Sequence, residues 1–111
     1  IEILDLKPKR DFVYIDDVVE AFICAMGLGK GCYKINIGSG KSYSVEEIIN
    51  LIQEILGSNL PIFSEEISRI NEINDVKSDI SFAKKVLNWE PKYNIKNGLK
   101  KYIKEELVDF L

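Results

Sequence analysis

Ser44 and Glu47 stand three residues apart, directly ahead of an apolar series, Val45, Ile48, Ile49, Ile52, Ile55 and Leu56, that closes at Gly57. A serine hydroxyl at such a position accepts the N–H three residues on, and the glutamate reaches back to the serine N–H. Glycine then supplies the left-handed geometry that stops the helix. No other segment of the chain is bounded so tightly at both ends. The fold must therefore accommodate an amphipathic helix whose apolar stripe needs a partner surface.

The remaining elements follow from weaker signals. Residues 1–6 alternate and read as a short strand closed by Lys7-Pro8-Lys9, and residues 12–15 read as a second extended run. Asp16 or Asp17 is expected to cap a helix through Met26, with Gly27 and Gly29 ending it. Tyr33, Ile35 and Ile37 share one face of residues 32–37, the period-two pattern of a half-buried strand, and Gly38-Ser39-Gly40 is the turn after it. Residues 61–63 make a short strand, and residues 64–78 show neither period and read as loop. Asp79 is expected to cap a helix bearing Phe82, Ala83, Val86 and Leu87, which ends before the corner Trp89-Glu90-Pro91, where packing is the expected role of Trp89. Asn94 caps a last helix with Ile95, Leu99, Tyr102, Ile103 and Leu107 on one stripe. The expected class is α/β: about four helices and a few short strands in one domain of 111 residues.

Charge and composition remove several function classes. A formal net charge of −3 leaves no basic excess for a nucleic-acid backbone. No apolar run spans a bilayer, and a cytoplasmic location is expected. Histidine is absent, which removes Ser-His and Cys-His nucleophiles and imidazole metal sites. Cys24 and Cys32 are too few for a disulfide framework or a closed thiolate zinc site, so no metal is expected. Glu46-Glu47, Glu65-Glu66 and Glu105-Glu106 are sequence neighbours that point apart, as solvated surface does, and no residue is assigned a catalytic role. The chain opens on Ile1 with Met26 its one methionine, and a fragment of a longer protein is expected.

Two glycine motifs fail on their context. Gly38-Ser39-Gly40-Lys41-Ser42 resembles the end of a phosphate-cradling loop, but Ile35 stands where the first glycine is required, and Ser44 starts the helix too late for Ser42 to reach magnesium. Gly27-Leu28-Gly29-Lys30-Gly31 follows a helix and precedes a strand, the reverse of a dinucleotide fingerprint. None of the five tyrosines has a lysine four residues on.

The run Arg10-Asp11-Phe12-Val13-Tyr14-Ile15-Asp16-Asp17-Val18 resembles a signature of the extended short-chain dehydrogenase/reductase family that acts on nucleotide sugars. Asn36-Ile37-Gly38-Ser39-Gly40, then Arg69 with Glu72, then Asp79 through Leu87-Asn88-Trp89-Glu90-Pro91 resemble later blocks of that family in the same order, and Asn94 to Leu99 is similar to the start of its last helix. Two departures stand out: Leu6-Lys7-Pro8-Lys9 replaces a glycine-rich turn, and Asn88 replaces a common glycine.

The resemblance implies the C-terminal, substrate-binding lobe of an NAD- or NADP-dependent nucleotide-sugar epimerase or dehydratase. It implies that Arg10 and Arg69 grip the diphosphate of an NDP-sugar and that Glu72 receives ribose hydroxyls. Only these two of the fifteen basic residues are arginine, and a planar guanidinium suits bidentate phosphate contact better than an ammonium does. The glycine fingerprint and the Tyr/Lys pair would lie in an N-terminal Rossmann domain, so this chain is expected to bind no NAD, to be inactive alone and to be monomeric. A free-standing, non-catalytic nucleotide-sugar-binding or adaptor domain is the alternative reading.

Overall fold

In the computed structural model, which describes residues 1–107, the expected helix forms with both of its stops. The Ser44 hydroxyl accepts the Glu47 N–H at 3.1 Å, Glu47 Oε2 accepts the Ser44 N–H at 2.6 Å, and Gly57 takes φ 68°. In chain order the elements are β1 (Glu2–Ile3), β2 (Lys9–Arg10), α1 (Ile15–Ala25), β3 (Tyr43–Ser44), α2 (Val45–Leu56), β4 (Phe63–Ser64), α3 (Ser81–Leu87) and α4 (Ile95–Glu106). The α/β class is as expected.

The strands form two small two-stranded sheets. β1 pairs parallel with β4, setting Glu2 opposite Phe63 and Ile3 opposite Ser64. β2 pairs antiparallel with β3, setting Lys9 opposite Ser44 and Arg10 opposite Tyr43. Because β3 ends in the residue that caps α2, this second ladder fixes the start of α2 beside Arg10.

α1 packs against α3 and α2 against α4. The centre of the first pair is Ala21 and Ala83, both buried, and two methyl side chains let the helices approach closely; Leu87 and Trp89 complete that cluster. Trp89 is 2% exposed, and its indole N–H donates to the Asp17 carbonyl at 3.0 Å. The side chain of Asp17 is 1% exposed and accepts the backbone N–H groups of Lys92 (2.9 Å) and Tyr93 (3.1 Å). One carboxylate thus ties the corner after α3 to the first turn of α1, where the helix dipole also favours negative charge.

Several boundaries differ from those the sequence suggests. Of residues 1–6 only Glu2–Ile3 pairs, Lys9 belongs to β2 rather than to a break, and residues 12–15 form no strand: Tyr14 is already the residue preceding α1. Neither Asp16 nor Asp17 caps that helix. Both lie inside its first turn, and Asp17 is used for Lys92 and Tyr93 instead. Residues 32–37 are not a strand, although Ile35 and Ile37 do face the core. Their alternation is real, but no neighbouring strand among the described residues completes a ladder. β4 lies at Phe63–Ser64, shifted toward the loop from residues 61–63. Asp79 acts from one position further out than a cap, with Ile80 between: its Oδ1 accepts the Ser81 N–H at 3.0 Å. Asn94 caps α4 as expected, accepting the Asn97 N–H at 2.8 Å.

The Asp17 tie gives the first prediction. Asp17→Ala strands two backbone donors and opens a void, and is expected to lower stability by about 3 kcal/mol; Asp17→Asn, keeping one acceptor, should cost less. Urea denaturation of the three proteins checks it, and equal midpoints would remove Asp17 from the account.

Candidate functional site

Lys9 and Arg10 lie extended in β2, and a loop runs alongside them. Lys9 donates its N–H to Asn74 O at 2.8 Å and accepts from Val76 N–H at 3.1 Å. Beside this pairing Arg10 turns its guanidinium onto the same loop. Its Nη1 donates to Lys9 O (2.8 Å) and Ile73 O (2.6 Å), and its Nη2 donates to Glu72 Oε1 at 2.7 Å. The two charged side chains are 35% and 18% exposed, so the pair is shielded from solvent more than a surface ion pair is.

Arg69 reaches the same place by a tight turn. Glu72 donates its N–H to Arg69 O at 3.2 Å, and Asn71 sits in the left-handed region at φ 58°, a conformation asparagine tolerates. Arg69 and Glu72 consequently line one cleft of about 290 Å³ with Arg10, Asp5, Pro8 and Val45. Arg69 is exposed. The three residues singled out in the sequence are brought together although 58 positions or more separate Arg10 from the other two. What the sequence did not disclose is that Arg10 is already paired with one of its own site neighbours.

Next to Arg10, Asp11 points the other way. Its carboxylate accepts the Ser39 N–H (2.8 Å), the Ser39 hydroxyl (2.6 Å), the Gly40 N–H (3.0 Å) and the Ser78 N–H (3.0 Å). The glycine turn after residue 37 therefore gives its amides to an internal carboxylate, the position a phosphate would need in a nucleotide-cradling loop. Gly38 is obligatory at this junction: a Cβ there would lie 2.5 Å from Ser78 Oγ and 2.7 Å from Asp11 Oδ2. Burial pushes the Asp11 carboxyl up, but the hydrogen bonds from Ser39, Ser78 and Gly40 outweigh it and hold the group below its ordinary value.

A tyrosine–lysine pair also arises, through folding rather than spacing. Lys101 Nζ donates to Asp16 Oδ2 at 2.7 Å and Tyr93 Oη at 3.0 Å, and lies over the Tyr93 and Tyr14 rings at 5.0 and 5.6 Å. The hydrogen bonds to Asp16 and Tyr93 hold the ammonium well above its ordinary value. Neutralised by Asp16, it joins α4 to α1. A hollow of about 410 Å³ beside it, lined by Phe12, Val13, Ile48, Ile95, Leu99 and Tyr102 among others, contains no charged side chain and suits apolar packing rather than phosphate. Among the described residues no group of three or more His, Cys, Asp or Glu is placed to hold a metal, and no helix is long and apolar enough to cross a membrane.

The arrangement of short paired strands and four helices is shared with solved enzymes of nucleotide sugars. A UDP-glucose 4-epimerase from Thermotoga maritima, solved with UDP-glucose, superposes with a TM-score of 0.84 at 33% identity over 96% of this chain and 35% of its own. A UDP-glucuronic acid 4-epimerase from Bacillus cereus, solved with UDP-glucuronic acid and NAD, superposes with a TM-score of 0.78 at 29% identity over 94% of this chain and 35% of its own. Residues 1–102 match the family model described as GDP-mannose 4,6 dehydratase, and the chain belongs to that family. Curated relatives include a CDP-abequose synthase of Salmonella muenchen, 33% identical over 87% of this chain and 34% of its own length. A UDP-glucuronate 4-epimerase of Thermodesulfobacterium geofontis is 38% identical over 89% of this chain and 30% of its own length. The chain thus spans about a third of the length of these relatives.

The Asp11 hub predicts a pH response. Since the folded-state value lies below the ordinary 3.8, its stabilising contribution is full above about pH 4 and is lost as pH falls through the folded value. Stability measured by urea titration from pH 5 downward should fall less steeply in Asp11→Asn than in the parent, from a lower starting level. An unchanged slope would mean that folding does not perturb this carboxyl.

Proposed function

We propose that this chain is the substrate-binding lobe of an NAD(P)-dependent nucleotide-sugar epimerase or dehydratase, and that its cleft receives the diphosphate of an NDP-sugar. The convergence of both arginines of the chain on one cleft, lined also by Glu72 paired with Arg10, carries the reading. Two guanidinium forks suit a diphosphate, and a carboxylate accepts from sugar or ribose hydroxyls. The relatives whose names specify UDP-, CDP- and dTDP-sugars support that ligand class.

The dinucleotide cofactor does not fit the residues of this chain. The amides of Ser39 and Gly40 are taken by Asp11, and the glycines from Gly27 to Gly31 follow a helix rather than open one. Hydride chemistry accordingly belongs, on this reading, to the part of the relatives' length that the chain does not cover. The apolar face of α1 supports it: Phe22 is 70% and Met26 84% exposed, and Ile15, Val19 and Ile23 are exposed beside them. Such a contiguous face is what a second domain covers. The role of this lobe is to bind and orient the nucleotide-sugar, not to move a proton or hydride.

NMR titration of the chain with nucleoside diphosphates tests the assignment. Arg69→Lys and Arg10→Lys keep the charge and lose the fork, and each should weaken binding by about 1–2 kcal/mol. Arg10→Lys should in addition shift the amides of residues 72–76, because its guanidinium holds Ile73 O and Glu72. Saturable binding is expected for the diphosphates and not for NAD. Lysine variants that bind as the parent does would remove both arginines from the binding site.

A further inference from the structure

Resting on the reading of the cleft as a diphosphate site, we infer that Glu72 is a selectivity gate: it withholds Arg10 from anions that bring no hydroxyl groups for the carboxylate. The two ends of the guanidinium are used differently. Nη1 is anchored by two backbone carbonyls, Lys9 O and Ile73 O, which hold the arginine in place whatever the cleft contains. Nη2 is given to Glu72 Oε1 at 2.7 Å, a side chain on a loop turn, and is the end that can be handed to a ligand.

The charges around the cleft make that exchange conditional. Its lining carries two arginines, Arg10 and Arg69, and two carboxylates, Asp5 and Glu72, so no excess of positive charge draws in anions indiscriminately. Asp5 Oδ1 is engaged by the Lys7 N–H at 3.1 Å, which leaves Glu72 as the carboxylate opposed to Arg10. For bare pyrophosphate to take Nη2, Glu72 would have to be displaced and left, only 18% exposed, without its cation. An uncompensated, shielded charge opposes binding. A ribonucleoside diphosphate offers phosphate oxygens to Nη2 and a vicinal pair of hydroxyls to the displaced carboxylate, so both partners are satisfied again. Phosphate and ribose recognition are coupled through one ion pair, and the sites are read together or not at all.

The test is NMR titration of the chain and its Glu72→Gln variant with inorganic pyrophosphate, with UDP, CDP, GDP and ADP, and with the 2′-deoxy counterpart of the tightest of these. The parent should prefer the ribonucleotide over pyrophosphate and over the deoxynucleotide. In Glu72→Gln pyrophosphate should bind about fivefold tighter than in the parent, and the preference for the 2′-hydroxyl should vanish. Simple removal of a negative charge would strengthen every anion alike and keep the 2′-hydroxyl preference; that result overturns the gate, as does unchanged pyrophosphate binding. Should the variant lose its fold, the guanidinium resonances of Arg10 in the parent decide instead: they should shift with the ribonucleotide and stay with pyrophosphate at equal saturation. Ribonucleotide binding without these signatures overturns the gate alone, whereas the absence of any diphosphate binding to the parent overturns the site as well.

Discussion

Asp11 gathers Ser39, Gly40 and Ser78 onto one carboxylate, and the rest of the chain is arranged around that point. Three neighbouring polar side chains do the same kind of work in different directions. Arg10 holds Ile73 and Glu72, Asp11 holds the glycine turn and the segment before α3, and Asp17 holds the corner at Lys92 and Tyr93. Segments from four parts of the sequence are thereby tied to one short stretch. The need for such ties follows from the core. Among the described residues its buried hydrophobic members are Ala21, Ala83, Leu87, Trp89 and Ile103, a set too small to define the loops by packing. Backbone N–H groups in irregular segments still require partners, and carboxylates with several acceptor positions supply them.

What could be read from the sequence is what depends on local chemistry. The start and stop of α2, the cap at Asn94 and the stripe of α4 depend on side chains within a turn of each other, and they stand where the residues indicate. Asn88 belongs to the same class. It takes φ 51° at the end of α3, the left-handed geometry that glycine would otherwise provide, so the departure from glycine leaves the turn intact. The candidate site residues were singled out by the family resemblance, with the two arginines of a lysine-rich chain in support, and the fold brings both to one cleft.

What could not be read depends on partners distant in sequence. Ile35 and Ile37 alternate as strand residues do and face the core, yet a period of two reports which side is buried and not whether another strand lies alongside. Asp16 and Asp17 look like caps because a carboxylate beside an apolar run usually is one. Tertiary demand overrides that preference: Lys92 and Tyr93 take Asp17, and Lys101 takes Asp16. The Tyr93–Lys101 contact leaves no mark at a spacing of four, because the two residues are eight apart and meet across the start of α4.

The division between backbone and side-chain donors has a consequence for recognition. In a nucleotide-cradling loop the backbone itself binds phosphate, so affinity is built into the turn and changes little with side-chain identity. Here Asp11 has absorbed the turn amides, and on the proposed reading the cleft recognises anions through the side chains of Arg10 and Arg69. Arg69 and Glu72 sit on a loop without helix or ladder of its own, anchored through Lys9 and Arg10. If the cleft takes the proposed diphosphate, position and recognition fall on the same arginine, because the group that holds the loop in place also lines the cleft. A change at Arg10 alters the shape of the cleft along with its charge, whereas a change at Arg69, which is exposed, alters the charge fork with little effect on shape. Specificity in a lobe built this way evolves most readily at Arg69 and its turn neighbours, while Arg10 is constrained by two duties at once.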